Sequence, residues 1–238
     1  MKYSQLPNSC QPDESLRVDA WLKRIQRLTW PTTCVLCARA GQPQMDLCSG
    51  CEADLVLNDP ACRICAQPLT GTSPHAFECG ACLQRTPRYD VSHVPFKYAY
   101  PLDHLVRALK YHRAVAGGRV LGELMARHIE NKCRSELPEL LLPVPLATQR
   151  YRERGYNQAI ELALHVQRRI GIPLCTDMLA RTRHTQEQAG LNRKARGKNI
   201  RDAFVVVTEL AAAHVAIIDD VVTTGSTVNE IAKAQPAP

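Results

Sequence analysis

Four Cys-x-x-Cys pairs stand between positions 34 and 82: Cys34/Cys37, Cys48/Cys51, Cys62/Cys65 and Cys79/Cys82, with ten, ten and thirteen residues between successive pairs. Two thiolates two residues apart can reach one tetrahedral ion at about 2.3 Å, and a second pair completes a closed four-sulfur site. Eight sulfurs therefore predict two structural Zn2+ sites. Spacing leaves open whether successive or alternate pairs share an ion. A redox Cys-x-x-Cys would need only one pair beside an activating helix N-terminus, and ordinary buried thiols would not recur in this pattern. His75 and His93 could ligate in principle, but eight sulfurs already fill two sites. Cys10, Cys133 and Cys175 fall outside the pattern and read as free or core thiols.

A second chemistry-bearing stretch is Val215-Ala-Ile-Ile-Asp-Asp-Val-Val-Thr-Thr-Gly-Ser-Thr227. It reads as a buried strand, two carboxylates at its C-terminal end, and a loop of small residues leading into a helix. Ligands of open α/β sheets bind at strand C-termini, and a helix N-terminus offers unpaired N–H groups to a phosphate. Gly225 allows close approach of the backbone, while Thr223, Thr224, Ser226 and Thr227 add hydroxyl donors. Carboxylates beside a phosphate cradle repel the ligand unless it brings hydroxyls between them. A ribose 5-phosphate does so, with Asp219 and Asp220 accepting from the ring hydroxyls. A Walker B strand or a magnesium-binding receiver loop would share the acid end. No G-x-x-x-x-G-K-[ST] accompanies it, because the stretch Gly190 to Asn199 lacks the final Ser/Thr, which argues against a P-loop enzyme.

Charge points the same way. The chain carries a formal +7 over its 238 residues. Between Val144 and Arg201, twelve Lys/Arg stand against four Asp/Glu, a local excess of +8. Such an excess favours phosphate-bearing partners, a nucleotide-like ligand or a nucleic acid, over a merely solvated face.

The elements that must position these groups divide the chain into three. Residues 1–32 form an extension in which Glu14–Leu28 predicts an amphipathic helix with a basic side. Residues 33–88 form the cysteine module, which lacks long apolar periodicity and must draw its folding free energy from metal. Residues 89–238 alternate apolar strands with helical patterns, which predicts an α/β fold with a mainly parallel sheet flanked by helices. Strands are expected over Val91–Tyr100, Leu140–Pro145, Phe204–Val207 and Val215–Asp219. Helices are expected over Leu102–Tyr111, Gly118–Cys133, Asn157–Ile170 and Thr227–Ala234. No run reaches the roughly 20 apolar residues of a membrane span, and the N-terminus has no signal-peptide stretch, so a cytoplasmic location is expected.

The Asp-Asp loop resembles the phosphoribosyl-diphosphate signature of type I phosphoribosyltransferases. Taken with Pro143-Val-Pro-Leu, Arg150, Arg152, Arg154-Gly-Tyr-Asn-Gln158, Gln188-Ala-Gly-Leu-Asn-Arg193, Arg196 and Asn199-Ile-Arg201, the chain is similar to the ComF family, the competence protein F or GntX-like proteins, from about Cys34 to Ile231. The resemblance implies a double zinc ribbon ahead of a type I phosphoribosyltransferase-like domain. It implies a role in natural transformation, with a phosphoribosyl ligand, incoming single-stranded DNA and other competence proteins as partners. The alternative it carries is an active phosphoribosyltransferase that displaces pyrophosphate with Mg2+ assisting and transfers ribose 5-phosphate to an acceptor. As an enzyme, Asp219 and Asp220 take the catalytic positions and Lys110, Arg150 and Arg154 contact the pyrophosphate; as a binding module, the same arginine-rich region tracks a nucleic-acid backbone. The stretch Arg193–Arg201, with Arg193, Arg196 and Arg201, forms a lid or a nucleic-acid contact. Tyr151 and Tyr156 read equally as stacking groups or as core residues. The family continues through a longer last helix and a further strand, whereas here Gln235-Pro-Ala-Pro238 follows two turns of helix. A truncated terminus, an uncovered sheet edge and reduced stability are the expectation.

Overall fold

A computed structural model describes residue 10 and residues 32–69, 77–111, 115–133, 136–182, 200–208 and 212–234. The helix expected over Glu14–Leu28 lies outside these residues, as do His75, Arg193, Arg196 and the residues after Ala234.

The described helices are α1 (Ser49–Ala53), α2 (Gly80–Gln84), α3 (Leu102–Tyr111), α4 (Val115–Lys132), α5 (Thr148–Arg154), α6 (Gln158–Ile170) and α7 (Ser226–Ala234). The strands are β1 (Leu140–Pro143), β2 (Leu179–Arg181), β3 (Phe204–Val206) and β4 (Val215–Ile218). β1 and β4 pair in parallel, Leu140 opposite Val215 and Pro143 opposite Ile218. A parallel bridge from Leu141 to Leu174 adds a third segment on the other side of β1. β2 and β3 form a separate antiparallel pair. The described sheet is therefore a small parallel pair with an antiparallel satellite, narrower than the alternating pattern suggested.

β1 is buried along its whole length. Alternate residues serve opposite faces, as a strand covered on both sides requires. Leu140 and Leu142 pack with Met178, Phe204 and Ile231, whereas Leu141 packs with Leu109, Ala126, Leu162 and Val166. Helices α3, α4 and α6 cover one face, and β2, β3 and α7 cover the other. α4 and α6 approach closely because position 122 is glycine, where a Cβ would collide with the Cβ of His165.

Two readings need correction. The run Val91–Tyr100 is not a strand but an extended crossing. Two of its backbone bonds go to the cysteine module, from Asn58 N–H to the Pro95 carbonyl and from Lys97 N–H to the Val56 carbonyl. Pro95 has no N–H to give a sheet ladder, which confines the run to an edge contact. Cys10 and Cys175, read as free or core thiols, are core residues joined in a disulfide across 165 positions, a separation at which spacing carries no pairing information. Cys133 keeps its thiol, 3.3 Å from His93 Nε2.

No described helix is long and apolar enough to cross a membrane.

Candidate functional site

The structure answers the pairing left open by spacing. Cys34, Cys37, Cys48 and Cys51 converge in one group, and Cys62, Cys65, Cys79 and Cys82 in another, with the sulfurs of each group within 4.8 Å of one another. Successive pairs share a site. The two groups are built alike. In each, the first pair sits on a tight turn closed by a left-handed alanine, Ala38 at φ 59° and Ala66 at φ 54°. Ala38 N–H donates to the Cys34 carbonyl at 2.9 Å, and Ala66 N–H to the Cys62 carbonyl at 2.8 Å. The second pair opens a short helix, α1 in one group and α2 in the other. Cys-x-x-Cys-Ala at positions 34 and 62 is thus a structural repeat, visible in the sequence as Cys-Val-Leu-Cys-Ala and Cys-Arg-Ile-Cys-Ala.

The electrostatics suit a dication. Burial opposes ionisation of Cys34, but the N–H groups of Cys48, Cys37 and Leu36 directed at its sulfur outweigh that and lower its pKa to about 6. Cys62 behaves alike: burial is outweighed by the N–H groups of Cys65, Cys79 and Ile64, and its pKa falls to about 7. The last cysteines are pushed the other way, Cys51 by hydrogen bonding with Cys37 and Cys48, and Cys82 by burial and by hydrogen bonding with Cys65 and Cys79. In each group the first sulfur ionises readily, whereas the last is held protonated unless a cation is present. Both sulfur tetrads fit structural zinc sites.

The first tetrad is part of a larger core. Cys34, Met45, Leu47 and Leu55 pack with Leu105 of α3 and Val120 and Leu124 of α4. Arg119 bonds Asp46 at 2.6 Å on the same contact. The second tetrad has a smaller cluster of Cys62, Ile64 and Cys82, on which Leu69 and Tyr89 pack.

Beyond the ribbons, the end of β4 opens into a cleft of about 410 Å3. Asp219, Asp220, Thr223, Thr224, Gly225, Ser226, Thr227, Lys110, Arg150 and Arg154 all line it. The parallel register carries Val144 N–H to the Ile218 carbonyl, so the chain leaves the sheet at Asp219. The first helical bond of α7 runs from Asn229 N–H to the Gly225 carbonyl at 2.9 Å, and the amides of residues 226–228 have no partner within the helix. Thr224 and Ser226 share a hydroxyl contact at 2.7 Å.

The arginines reach the cleft from a helical corner. α5 ends in Gly155, left-handed at φ 80°, and Asn157 caps α6, its side chain accepting from Ala159 N–H. Asn157 Nδ2 also donates to the Val144 carbonyl at 2.9 Å, pinning the corner to the end of β1. Of the two roles open to Tyr156, the core one fits: it donates its hydroxyl to the Leu109 carbonyl and packs against the core. Tyr151 is exposed on α5. Arg154 lies 5.7 Å over the ring of Tyr111. Arg201 is exposed and is not among the lining residues, whereas its neighbour Ile200 is.

Lys110 Nζ bonds Asp220 at 2.8 Å, so the basic floor and the acid pair are in contact. Burial foremost, and then the Asp220 carboxylate, hold the Asp219 pKa well above the usual carboxylate range, with Lys110 offsetting only part of this. A carboxyl whose pKa rises on folding stabilises the fold when protonated. That contribution is present in acid, below the unfolded value, and is lost as pH climbs through the folded-state value. Asp219→Asn keeps the acceptor for Asp220 N–H and removes the charge. Its melting temperature at pH 7 is expected to exceed the wild type's by about 2–4 °C per kcal/mol of repulsion relieved, with the gain closing toward acid pH. A melt at pH 7 at or below the wild type's contradicts the assignment.

Several lining residues carried no sequence signal. Tyr98 and Tyr111 are exposed aromatics at the cleft, and Arg181 enters from β2, a strand too short to foresee. Arg181 lies close enough to Arg150 and Asp219 to feel both charges, although burial is the chief cause of its lowered pKa.

Residues 25–83 match the double zinc ribbon domain family. Over 193 residues the chain is 36% identical to competence protein F of Haemophilus influenzae, covering 79% of this chain and 82% of that protein. This chain belongs to the competence protein F family. Further members are the DNA utilization protein YhgH of Shigella flexneri and of Escherichia coli strain K12, each 32% identical over 210 residues, covering 87% of this chain and 91% of theirs. The matched lengths of 193 and 210 residues far exceed the ribbon match, so the relationship is not confined to the ribbons.

Proposed function

We propose that the cleft binds a phosphoribosyl ligand of the phosphoribosyl diphosphate type, on a type I phosphoribosyltransferase-like scaffold, and that the protein acts in the handling of incoming DNA during natural transformation. The observation that carries the ligand reading is the convergence of an acid pair, a hydroxyl-rich glycine loop and three cations on one cleft at a strand end. The 5-phosphate would sit in the Thr223–Thr227 loop and on the amides opening α7. Asp219 and Asp220 would accept from the ribose hydroxyls, and Lys110, Arg150 and Arg154 would take the diphosphate with its Mg2+. Lys110 must then be shared between Asp220 and the ligand. The role in DNA handling rests on the names of the relatives, competence protein F and DNA utilization protein. Support for single-stranded DNA as a partner comes from the exposed Tyr98, Tyr111 and Tyr151 beside Arg150 and Arg154, because base stacking on aromatics along a basic track tolerates any sequence.

Phosphoribosyl diphosphate with Mg2+ at one hundred times its Kd is expected to stabilise the protein by about 2.7 kcal/mol. Asp219→Ala and Asp220→Ala are expected to abolish that shift. Single-stranded DNA binding is expected to weaken steeply with salt and to survive Asp219→Ala. No stabilisation at millimolar phosphoribosyl diphosphate sinks the ligand reading. Pyrophosphate release dependent on Asp219 in the presence of an acceptor would establish the transferase.

A further inference from the structure

The second sulfur tetrad and the cleft loop meet at one residue. Tyr89 packs on the Cys62, Ile64 and Cys82 cluster. Its hydroxyl lies over Gly225, 2.6 Å from where a Cβ would stand. The preceding residue makes a second tie: Arg88 N–H donates at 2.9 Å to Asn229 Oδ1, on the first turns of α7. The chain leaving α2 thus holds both the loop and the helix whose amides face the cleft. The first tetrad makes no such contact among the described residues, packing on α3 and α4 instead.

We infer that Tyr89 is a positioning residue for the loop, and that metal retention by the second tetrad is thermodynamically coupled to ligand binding in the cleft. This rests on the phosphoribosyl reading given above. The physical argument is linkage. A tetrad closed on its metal holds the chain from Cys79 through Tyr89 in one place, and Tyr89 in turn limits where Gly225 can sit. If the loop must occupy that place to receive a phosphate, metal in the second tetrad tightens ligand binding. Reciprocity then requires the ligand to tighten metal retention by the same factor. The coupling is selective, because the first tetrad touches the core and not the loop. A residue that merely packs would change stability without linking the two equilibria.

The test uses the full chain carrying two equivalents of zinc. A chelator is titrated to equilibrium with and without saturating phosphoribosyl diphosphate in excess Mg2+, and each tetrad is read separately by thiol alkylation and mass spectrometry. Ligand binding is measured on the same samples. The expected result is about a fivefold or greater rise in chelator concentration needed to expose Cys62, Cys65, Cys79 and Cys82, with Cys34, Cys37, Cys48 and Cys51 unmoved. Tyr89→Ala is expected to lose ligand affinity by a similar factor and to lose the ligand's effect on zinc. Tyr89→Phe, which keeps the ring on the tetrad but removes the atom over Gly225, guards against a folding defect and is expected to keep the fold while losing a large part of the coupling. Ligand that binds without shifting the second tetrad overturns the coupling and leaves the cleft reading standing. Equal shifts in both tetrads also overturn it, because they report general stabilisation. Absence of ligand binding to the wild type overturns both.

Discussion

Cys34→Ser is expected to lower the zinc content from two to one and to destabilise the whole protein, whereas Cys62→Ser, with the same loss of one zinc, leaves the α/β core standing. The difference follows from what each tetrad is packed against. Cys34 is 2% exposed and Leu47 fully buried, in one cluster with Leu105, Val120 and Leu124. Opening the first site frees Met45, Leu47 and Leu55 from α3 and α4, at about 1.5–3 kcal/mol per large apolar side chain returned to water. It also releases the ties from Arg119 to Asp46 and from Arg127 to Glu52. Ion pairs of this exposure contribute little by themselves, so the apolar contact decides the outcome. A loss of about 5 kcal/mol lowers the melting temperature by roughly 10–20 °C in a chain of this size. Opening the second site exposes mainly Ile64, Leu69 and Tyr89. Thermal melts with zinc quantified on the same samples check this, and equal melting temperatures for the two variants would show that the ribbons contribute alike.

The features legible in sequence were those that chemistry ties to short spacings. A tetrahedral ion imposes the two-residue gap, so all eight ligands could be named. Their sharing could not, because it depends on turns closed by Ala38 and Ala66 in a left-handed conformation that alanine rarely adopts. The Asp219–Thr227 element was readable because an apolar run, its acid end and a helix start are contiguous. Residues that complete the cleft from elsewhere left no such trace. Arg181 arrives on a three-residue strand, and Tyr89 contacts a loop far along the chain, as the Arg88 to Asn229 bond across 141 positions illustrates. Val91–Tyr100 misled because its aromatic and apolar residues suit a strand, while Pro95 and the following contacts to Val56 and Asn58 make it a strap between modules. Tyr156 stayed ambiguous in sequence for a different reason. An aromatic among arginines suggests stacking on bases, yet its hydroxyl has a backbone partner on α3 that only the folded chain supplies.

Gly225→Ala is expected to be among the most damaging single-methyl changes in the cleft, and its cause can be separated into two parts. Gly225 has φ +69°, where a side chain costs about 1–2 kcal/mol. Its Cβ would also stand 2.6 Å from the Tyr89 hydroxyl, closer than real contacts allow, while the next ring atom is at an ordinary 3.6 Å. The hydroxyl is therefore the whole of the collision. Removing it with Tyr89→Phe relieves the steric part and leaves the backbone part in place. In urea unfolding, Gly225→Ala alone is expected to cost about 2–4 kcal/mol and Tyr89→Phe less than about 1 kcal/mol. The double variant is expected to be more stable than Gly225→Ala, with a favourable coupling of about 1 kcal/mol or more, as contacting pairs show. Affinity for phosphoribosyl diphosphate should follow the same order, since a loop displaced by the collision no longer presents its amides, and it should recover in part in the double variant. Strict additivity of the two changes would mean that α7 and the loop shift away from Tyr89 at little cost, and the ribbon would then be a neighbour of the cleft rather than a part of it.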